Sequence, residues 1–499
     1  MPLAPAARAS RLRRAVIIGA TMLVAAGYLY FIRKYTAPYA SNADASGYLN
    51  HARLLLAGQD HFEVPAIVSA DDHRWLATAQ EPLGLVIDPA TRTLAPTYPV
   101  GYPLHLVVGA WFVGLDWATV AVNVVLAGAA AGLMLALGRI VGLRWTWALA
   151  AVAVLWASPL FIYMSTQPMS DVAAMVWGLA AVVCAWRWRD GTAATTGAAL
   201  SGIAFAVAVL VRPTNVLLLA PLALLLGKRP ARWLAFGLAG LPGAVYLGWH
   251  NHALYGNVLA SGYGDVSAFF SLSLAPATLA HFARGTALHL SPWVALSVLG
   301  LPWLRHVSGR DRALLVVWPA AFIALYACYS YSTGNWWYLR FILPGYPALI
   351  VGAMLVGQRV LAARQSVMAR VAIPLVLLGA TLTWQGVAAN RHYATIMKRG
   401  ERIYFDAAAW INAHTPAEAI VLAVQTSGAL SYYTDRAIVR WDRLTPEAAQ
   451  LLRETANREG RPLYAMSFGS EDTTARTGWS GPWRERASFG VIKIWELIP

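Results

Sequence analysis

The sequence predicts a polytopic α-helical membrane protein that ends in a small α/β domain. Three observations carry that expectation. Hydrophobic residues make up 58% of the 499 positions and charged residues only 13%; long apolar runs recur as far as Val387; and from about Arg391 charge returns together with short β-like runs. A soluble globular domain of ordinary surface is excluded by that balance. The formal net charge of +15 does not point to nucleic acid, because most Lys and Arg residues fall in gaps between apolar runs, where they report orientation.

Taken in order, the apolar runs predict spans near Ala15 to Phe31, Ala118 to Leu137, Trp145 to Tyr163, Val172 to Trp186 and Gly197 to Leu210, then Asn215 to Leu226 and Ala231 to Trp249. Further runs lie near Leu288 to Leu304, Ala313 to Tyr331, Phe341 to Gly357 and Val371 to Val387. The total is about eleven, the two flanking Arg212 being short. An odd total places the termini on opposite sides. Arg8, Arg11, Arg13 and Arg14 precede the first span, and every second gap is basic again: Arg139 and Arg144, Arg187 and Arg189, Lys228 to Arg232, Arg305 to Arg312, Arg359 to Arg370. The positive-inside rule then makes the N-terminus cytoplasmic and places the Asp44 loop, the Asp171 turn, the stretch from His250 to Gly285 and everything after Asn390 outside. The expected location is the plasma (inner) membrane, with the C-terminal domain periplasmic. Arg33, Lys34, Arg212 and Arg340 break the charge pattern.

The first span reads as an uncleaved anchor, because its apolar stretch is long and no clean Ala-x-Ala site follows. Cys184 and Cys328 both fall inside predicted spans, so neither a disulfide framework nor a cysteine metal site is indicated. Residues 1–390 form the predicted membrane portion, and within it 34–116 form a first extracytoplasmic loop whose Gly101 to Gly114 run is too short to cross comfortably and reads as an interfacial helix. Residues 391–499 form the C-terminal domain. Ala419 to Val424, Ala437 to Trp441, Pro462 to Met466 and Val491 to Leu497 are strand-like there, whereas Tyr404 to Asn412 and Pro446 to Arg458 read as helices. No Gly-rich phosphate loop, metal-ligand spacing or nucleophile motif appears in it, and its expected role is to cap the acceptor entrance.

Four charged residues stand at span boundaries on the outer side. Asp44 opens a helix expected to run to Ala57 with Gly58 as its stop, which puts Asp44, Tyr48 and His51 on one face. Ser41 three residues ahead of Asp44 offers a competing capping-box reading. Asp171 begins the span after Ser-Thr-Gln-Pro-Met-Ser, and a helix cap competes with a functional role there too. Arg212 in Val-Arg-Pro-Thr-Asn and Arg340 in Leu-Arg-Phe-Ile-Leu-Pro suit a lipid phosphate, with snorkelling to headgroups as the alternative. Trp336, Trp337 and Tyr338 fit an aromatic belt. Past Trp249, a stretch rich in turn formers with Asn251 and Tyr263 suits a sugar pocket. His250 and His252 lack further ligands at zinc spacing, and Asp71, Asp72 and His73 read as a solvated loop.

These features together resemble the GT-C superfamily of polytopic glycosyltransferases that use polyprenyl-phosphate sugars, and within it the protein O-mannosyltransferases and lipid A aminoarabinose transferases. The resemblance is carried by the Asp44 loop with Ala-Arg-Leu-Leu-Leu-Ala-Gly behind it, by Tyr-Pro-Val-Gly-Tyr-Pro, Gln-Pro-Met-Ser-Asp, Val-Arg-Pro-Thr-Asn, Leu-Tyr-Gly-Asn with Ser-Gly-Tyr-Gly, and Arg-Phe-Ile-Leu-Pro, in that order. It implies a GT-C-like membrane domain with two catalytic acids: Asp44 as the catalytic aspartate, and Asp171 as the acidic residue of the second outer loop, orienting the acceptor or Asp44. Arg340 and Arg212 would hold the donor phosphate, while Tyr48, His51, Tyr98, Tyr102, Asn251 and Tyr263 would line the substrate pocket. The implied partners are a polyprenyl-phosphate sugar donor, a glycan, lipid or protein acceptor, and the bilayer. No cofactor is specified, and a divalent metal is left open. Ala45 stands where the family often has a second acid, and Tyr-Pro-Val-Gly-Tyr-Pro holds no lysine. The expected reaction is inverting transfer to an acceptor hydroxyl with Asp44 as base; a transporter or flippase of lipid-linked sugars is the competing class.

Overall fold

A computed structural model describes residues 5–67, 76, 78–88, 91–305, 307–362, 366–471 and 482–498; for 5–17, 297 and 367–369 only the backbone is described. Asp71, Asp72 and His73 lie outside the described residues. The chain enters through helix α1 (Pro5–Tyr35) and turns into α2 (Ala43–Ala57). Asn42 caps α2 by accepting from the Ala45 N–H at 3.1 Å, and Gly58 ends it at φ 66°, a conformation open to glycine without strain. Strands β1 (Phe62–Glu63), β2 (Leu85–Asp88) and β3 (Thr93–Pro96) then form a small antiparallel sheet of order β1-β3-β2. Sequence alone had not shown this sheet, because its strands are only two to four residues long.

The helical bundle begins with α3 (Gly101–Val113), α4 (Leu115–Ile140), α5 (Trp145–Ala157), α6 (Pro159–Ser165), α7 (Asp171–Arg187) and α8 (Ala194–Val211). After a 3₁₀ turn at Pro213–Leu218 come α9 (Leu219–Leu226), α10 (Pro230–Tyr255), α11 (Ala275–Leu290), α12 (Pro292–Ser297) and α13 (Gly309–Ala327). A ten-residue 3₁₀ segment, Trp336–Gly345, leads into α14 (Tyr346–Ala362), and α15 (Val367–Arg391) closes the bundle.

Helices occupy every predicted apolar run, yet among the described residues four by themselves are long and apolar enough to cross a membrane: Leu115–Ile140, Ala194–Val211, Trp336–Ala362 and Arg370–Arg391. The pair α5 and α6 makes a fifth if its 63° bend lies within one span. That measure does not reach the expected total of about eleven. One expected span is corrected outright. The run from Leu288 to Leu304 is not continuous, since α11 stops at Leu290 and Ser291 sits at φ 84°. Helical backbone is disfavoured ahead of Pro292, and the positive φ at Ser291 breaks the helix at this point, with Pro292 opening α12. Proline acts similarly at Ser158, ahead of Pro159, where α5 gives way to α6.

The remaining chain runs through α16 (Met397–Gly400), α17 (Arg402–His414), β4 (Ile420–Leu422), α18 (Ser427–Tyr433), β5 (Ala437–Val439), α19 (Pro446–Arg458), β6 (Leu463–Phe468), β7 (Trp483–Phe489) and β8 (Ile492–Leu497). Its five-stranded sheet has the order β5-β4-β6-β8-β7, parallel across β5, β4 and β6 and antiparallel beyond. Each strand-like run expected from the sequence overlaps a strand; β7, α16 and α18 are additional. Side chains of β4 alternate between two cores, as a pleated strand requires. Val421 packs with Ile411, Leu430 and Ile494, whereas Ile420 and Leu422 pack with Leu452 and with Ile67, Leu76 and Ala79 of the first loop. The second core thus crosses the expected boundary at 390 and is completed by residues near the start of the chain.

Candidate active site

Asp44 lies in the first turn of α2, but it does not act as the helix cap, because Asn42 fills that place. Its Oδ2 instead receives Arg340 Nη1 at 2.6 Å. The capping-box reading with Ser41 therefore fails. Arg340 is held in position by the 3₁₀ segment before α14, with its guanidinium 5.4 Å from the Phe341 ring and 5.8 Å from Tyr338. Phe341 in turn stacks on Tyr326 at 4.6 Å. Aromatic packing restricts where the cation can sit.

Asp171 is the first residue of α7, after its cap position Ser170, and neither of its buried carboxylate oxygens makes a cap hydrogen bond. Arg212 Nη2 approaches its Oδ1 at 2.8 Å, and Arg340 Nη1 stands 4.0 Å from its Oδ2. The backbone explains how Arg212 arrives there: Pro213 forces the residue before it out of the helical region, and Arg212 adopts φ −150°, ψ 110°. The rest of Val-Arg-Pro-Thr-Asn secures the turn. Thr214 Oγ1 accepts from Tyr326 OH at 2.9 Å, and Asn215 Nδ2 donates to the Ala208 and Ala174 carbonyls at 2.8 and 3.3 Å.

Asp44, Arg340, Asp171 and Arg212 consequently form one chain of alternating charge assembled from four distant parts of the sequence. Exposure separates the two acids: the Asp44 side chain is 21% accessible and that of Asp171 is 0%. A fully enclosed Asp171 can hold guanidinium groups but cannot meet an incoming hydroxyl. Burial taken alone would raise the Asp44 carboxyl, yet the charge and hydrogen bond of Arg340, joined by a Tyr98 hydrogen bond and the Arg212 charge, leave it below its ordinary value. Asp44 is thus an anion at neutral pH. Arg340 Nε and Arg212 Nη1 are buried without a hydrogen-bond acceptor, an arrangement that normally costs free energy and suits an anionic ligand.

The aromatic residues expected in the pocket gather around this charge chain. Tyr48 donates its hydroxyl to Ser170 Oγ at 2.8 Å, and its ring lies 5.1 Å from Tyr98 and 5.2 Å from Tyr102. Tyr263 meets Tyr98 edge-on at 5.8 Å. Gly47 permits this closeness, since a Cβ there would overlap the Tyr98 ring. Burial, followed by the Asp44 charge, raises the Tyr98 phenol well above its usual value, so it remains a donor to Asp44. Tyr102 donates to Asn123 Oδ1 at 3.2 Å, and Asn123 Nδ2 donates to the Gln167 carbonyl at 2.7 Å.

Two further expected pocket residues, His51 and Asn251, make contacts of their own. His51 is 1% exposed and stacks on His250 at 5.3 Å. Burial first, and the neighbouring His250 second, push the imidazole down to about 3, so it packs as a neutral ring. Asn251 donates Nδ2 to the Val258 carbonyl at 3.2 Å and stabilises its own loop. A neighbour missed in the sequence is Glu401, which hydrogen-bonds Ser41 just ahead of α2 and is raised by burial. Only the fold brings residue 401 beside residue 41. Among the described residues, no group of three or more His, Cys, Asp or Glu side chains is placed to hold a metal ion.

No family model matches the chain, and no curated protein does either. Solved structures do. ArnT from Cupriavidus metallidurans bound to undecaprenyl phosphate is similar with a TM-score of 0.58 at 14% identity, over 96% of this chain and 98% of that one. The Archaeoglobus fulgidus oligosaccharyltransferase AglB, in complex with an inhibitory peptide and a dolichol-phosphate, gives 0.58 at 11% identity over 95% and 73%. The mycobacterial arabinofuranosyltransferase AftD gives 0.54 at 15% over 96% of this chain and 40% of the other. The chain therefore shares the fold of these three proteins over nearly all of its length.

Proposed function

We propose that this protein is a membrane glycosyltransferase that moves a sugar from a polyprenyl-phosphate donor to an acceptor hydroxyl outside the cytoplasm. The observation that carries the proposal is the pairing of a partly accessible carboxylate, Asp44, with two buried guanidinium groups that retain unpartnered nitrogens. Likeness in fold to proteins bound to undecaprenyl phosphate and dolichol-phosphate supports the donor class. The acceptor hydroxyl gives its proton to Asp44 as its oxygen bonds to the anomeric carbon, and the bond from that carbon to the phosphate oxygen breaks with its electron pair leaving on phosphate. Arg340, backed by Arg212, meets the departing phosphate.

A phosphate leaving group needs no proton, so one carboxylate is enough, in contrast to the two required for glycoside hydrolysis. Direct displacement inverts the anomeric centre. Asp171 keeps the two guanidiniums together without touching the reacting atoms. The aromatic surfaces of Tyr48, Tyr98 and Tyr263 suit a sugar ring, and the apolar helices suit the polyprenyl tail. The test is transfer from a panel of labelled polyprenyl-phosphate sugars in proteoliposomes. Asp44→Asn should lower turnover by about 10²-fold or more with donor binding retained, the scale expected for losing a general base. Full turnover by that variant overturns the base assignment, and movement of intact donor across the bilayer without any transfer would replace the enzyme reading with a transporter.

A further inference from the structure

Helix α2 has two polar faces. Asp44, Tyr48 and His51 follow one helical stripe toward the bundle, while Ser46, Asn50 and Arg53 repeat the same i, i+4, i+7 spacing two residues later on another side. That second stripe meets α18 of the C-terminal unit. Arg53 Nη1 donates to the Tyr432 carbonyl at 2.8 Å and Nη2 to the Ser431 carbonyl at 3.0 Å, both in the last turn of α18, where carbonyls lack helical partners. Asn50, fully buried, donates Nδ2 to the Gly428 carbonyl at 3.3 Å and accepts from Arg53 Nη2 at 3.2 Å.

The contact is close as well as polar. A Cβ at position 428 would overlap Ser46 Oγ and the Leu83 carbonyl, so only glycine lets the two helices approach this far. The ends of α18 bind the chain on both sides of α2: the Ala40 N–H donates to Tyr433 OH at 2.9 Å, and the Leu83 N–H donates to Ser427 Oγ at 2.9 Å. Further contacts fix the C-terminal unit to the same loop. Arg443 pairs with Glu81 at 2.7 Å, and Arg461 Nη1 donates to the Ala66 and Ile67 carbonyls at 2.9 and 3.2 Å.

We propose that α18, acting through Arg53 and Asn50, is the positioning element that holds the Asp44 helix in register against Arg340, so that the C-terminal unit takes part in the reaction without touching substrate. This rests on the assignment of Asp44 as base. A carboxylate held by a helix anchored at one face only would lose alignment with the reacting hydroxyl, and a displacement near 1 Å is worth about 10²-fold in rate. Arg53 is a positioning residue, since its nitrogens reach carbonyls and Asn50 and no reacting atom.

The test uses the full chain in proteoliposomes with the labelled donor panel, alongside hydrogen exchange read over peptides 43–57 and 171–187. Arg53→Ala should lower kcat by about 10- to 100-fold with donor KM within about twofold, and should speed exchange over 43–57 while leaving 171–187 unchanged. Arg53→Lys, which keeps a donor but not the two-pronged geometry, should recover part of the rate. Gly428→Val should reproduce the Arg53→Ala pattern without altering α2 itself. Unchanged kcat with unchanged exchange in both variants overturns the proposal, as does faster exchange spread equally over both peptides with donor KM rising alongside. Faster exchange over 43–57 combined with full transfer by Asp44→Asn overturns the base assignment and leaves the anchoring in place.

Discussion

At the scale of single residues, the two aspartates of the site differ in what surrounds them rather than in their chemistry. Asp171 is enclosed and faces Arg212 at 2.8 Å and Arg340 at 4.0 Å, which makes it the counter-charge that allows two guanidiniums to stand side by side. Asp44 reaches only one of them and keeps some access. Its carboxyl is held below the usual range by Arg340, against burial acting in the other direction, so the basic form persists as pH falls and is lost only once pH drops through that lowered value. The acidic limb of the transfer rate should accordingly lie below about pH 4, the ordinary carboxylate value. In Arg340→Gln the burial remains and the cation is gone, so the limb should move upward; a limb that stays in place would show that Asp44 does not set it. Both aspartates were legible in the sequence as acids at span boundaries. Their division of labour was not, because it depends on exposure and on arginines that lie, in the case of Arg340, 296 residues from Asp44.

At the scale of elements, proline and small residues decide most of the geometry. Pro213 turns Arg212 toward Asp171, and the break at Ser291, just ahead of Pro292, interrupts a run whose hydropathy reads as one continuous span. Hydropathy averages over such breaks, which explains why the run from Leu288 to Leu304 looked unbroken. Helices α8 and α10 approach through Gly202, where a Cβ would overlap the Phe236 carbonyl, and through Gly243 against Ala206. Interfaces of this type are common between helices in lipid, where small residues let backbones pack closely. Gly202→Leu should therefore destabilise the bundle by roughly 1–3 kcal/mol, as overpacking does. Gly237→Ala on α10, where a Cβ would meet nothing within 4 Å, should be neutral or slightly stabilising. Thermal unfolding in detergent compares them, and equal midpoints would remove the close-packing explanation.

At the scale of the whole molecule, the first loop lies between the bundle and the C-terminal sheet and is built into both. Its Tyr48 bonds to Ser170 in the bundle, while Ile67, Leu76 and Ala79 complete a core of the sheet. The proposed orientation follows from the basic gaps: a reporter active only outside the cytoplasm should be active when fused to the C-terminus and silent when fused after Arg310. Identical behaviour of the two fusions would reject that orientation. By itself the sequence determined the helical class and the course of most C-terminal strands, and it singled out Asp44, Asp171, Arg212 and Arg340, because hydropathy, charge bias and turn chemistry act over neighbouring residues. Only the tertiary structure decided that these four charges form one chain, that His51 stacks on His250, and that α18 grips the helix of Asp44. Those outcomes depend on which distant surfaces become buried against each other, and burial changes the cost of every charge and unpaired donor it encloses.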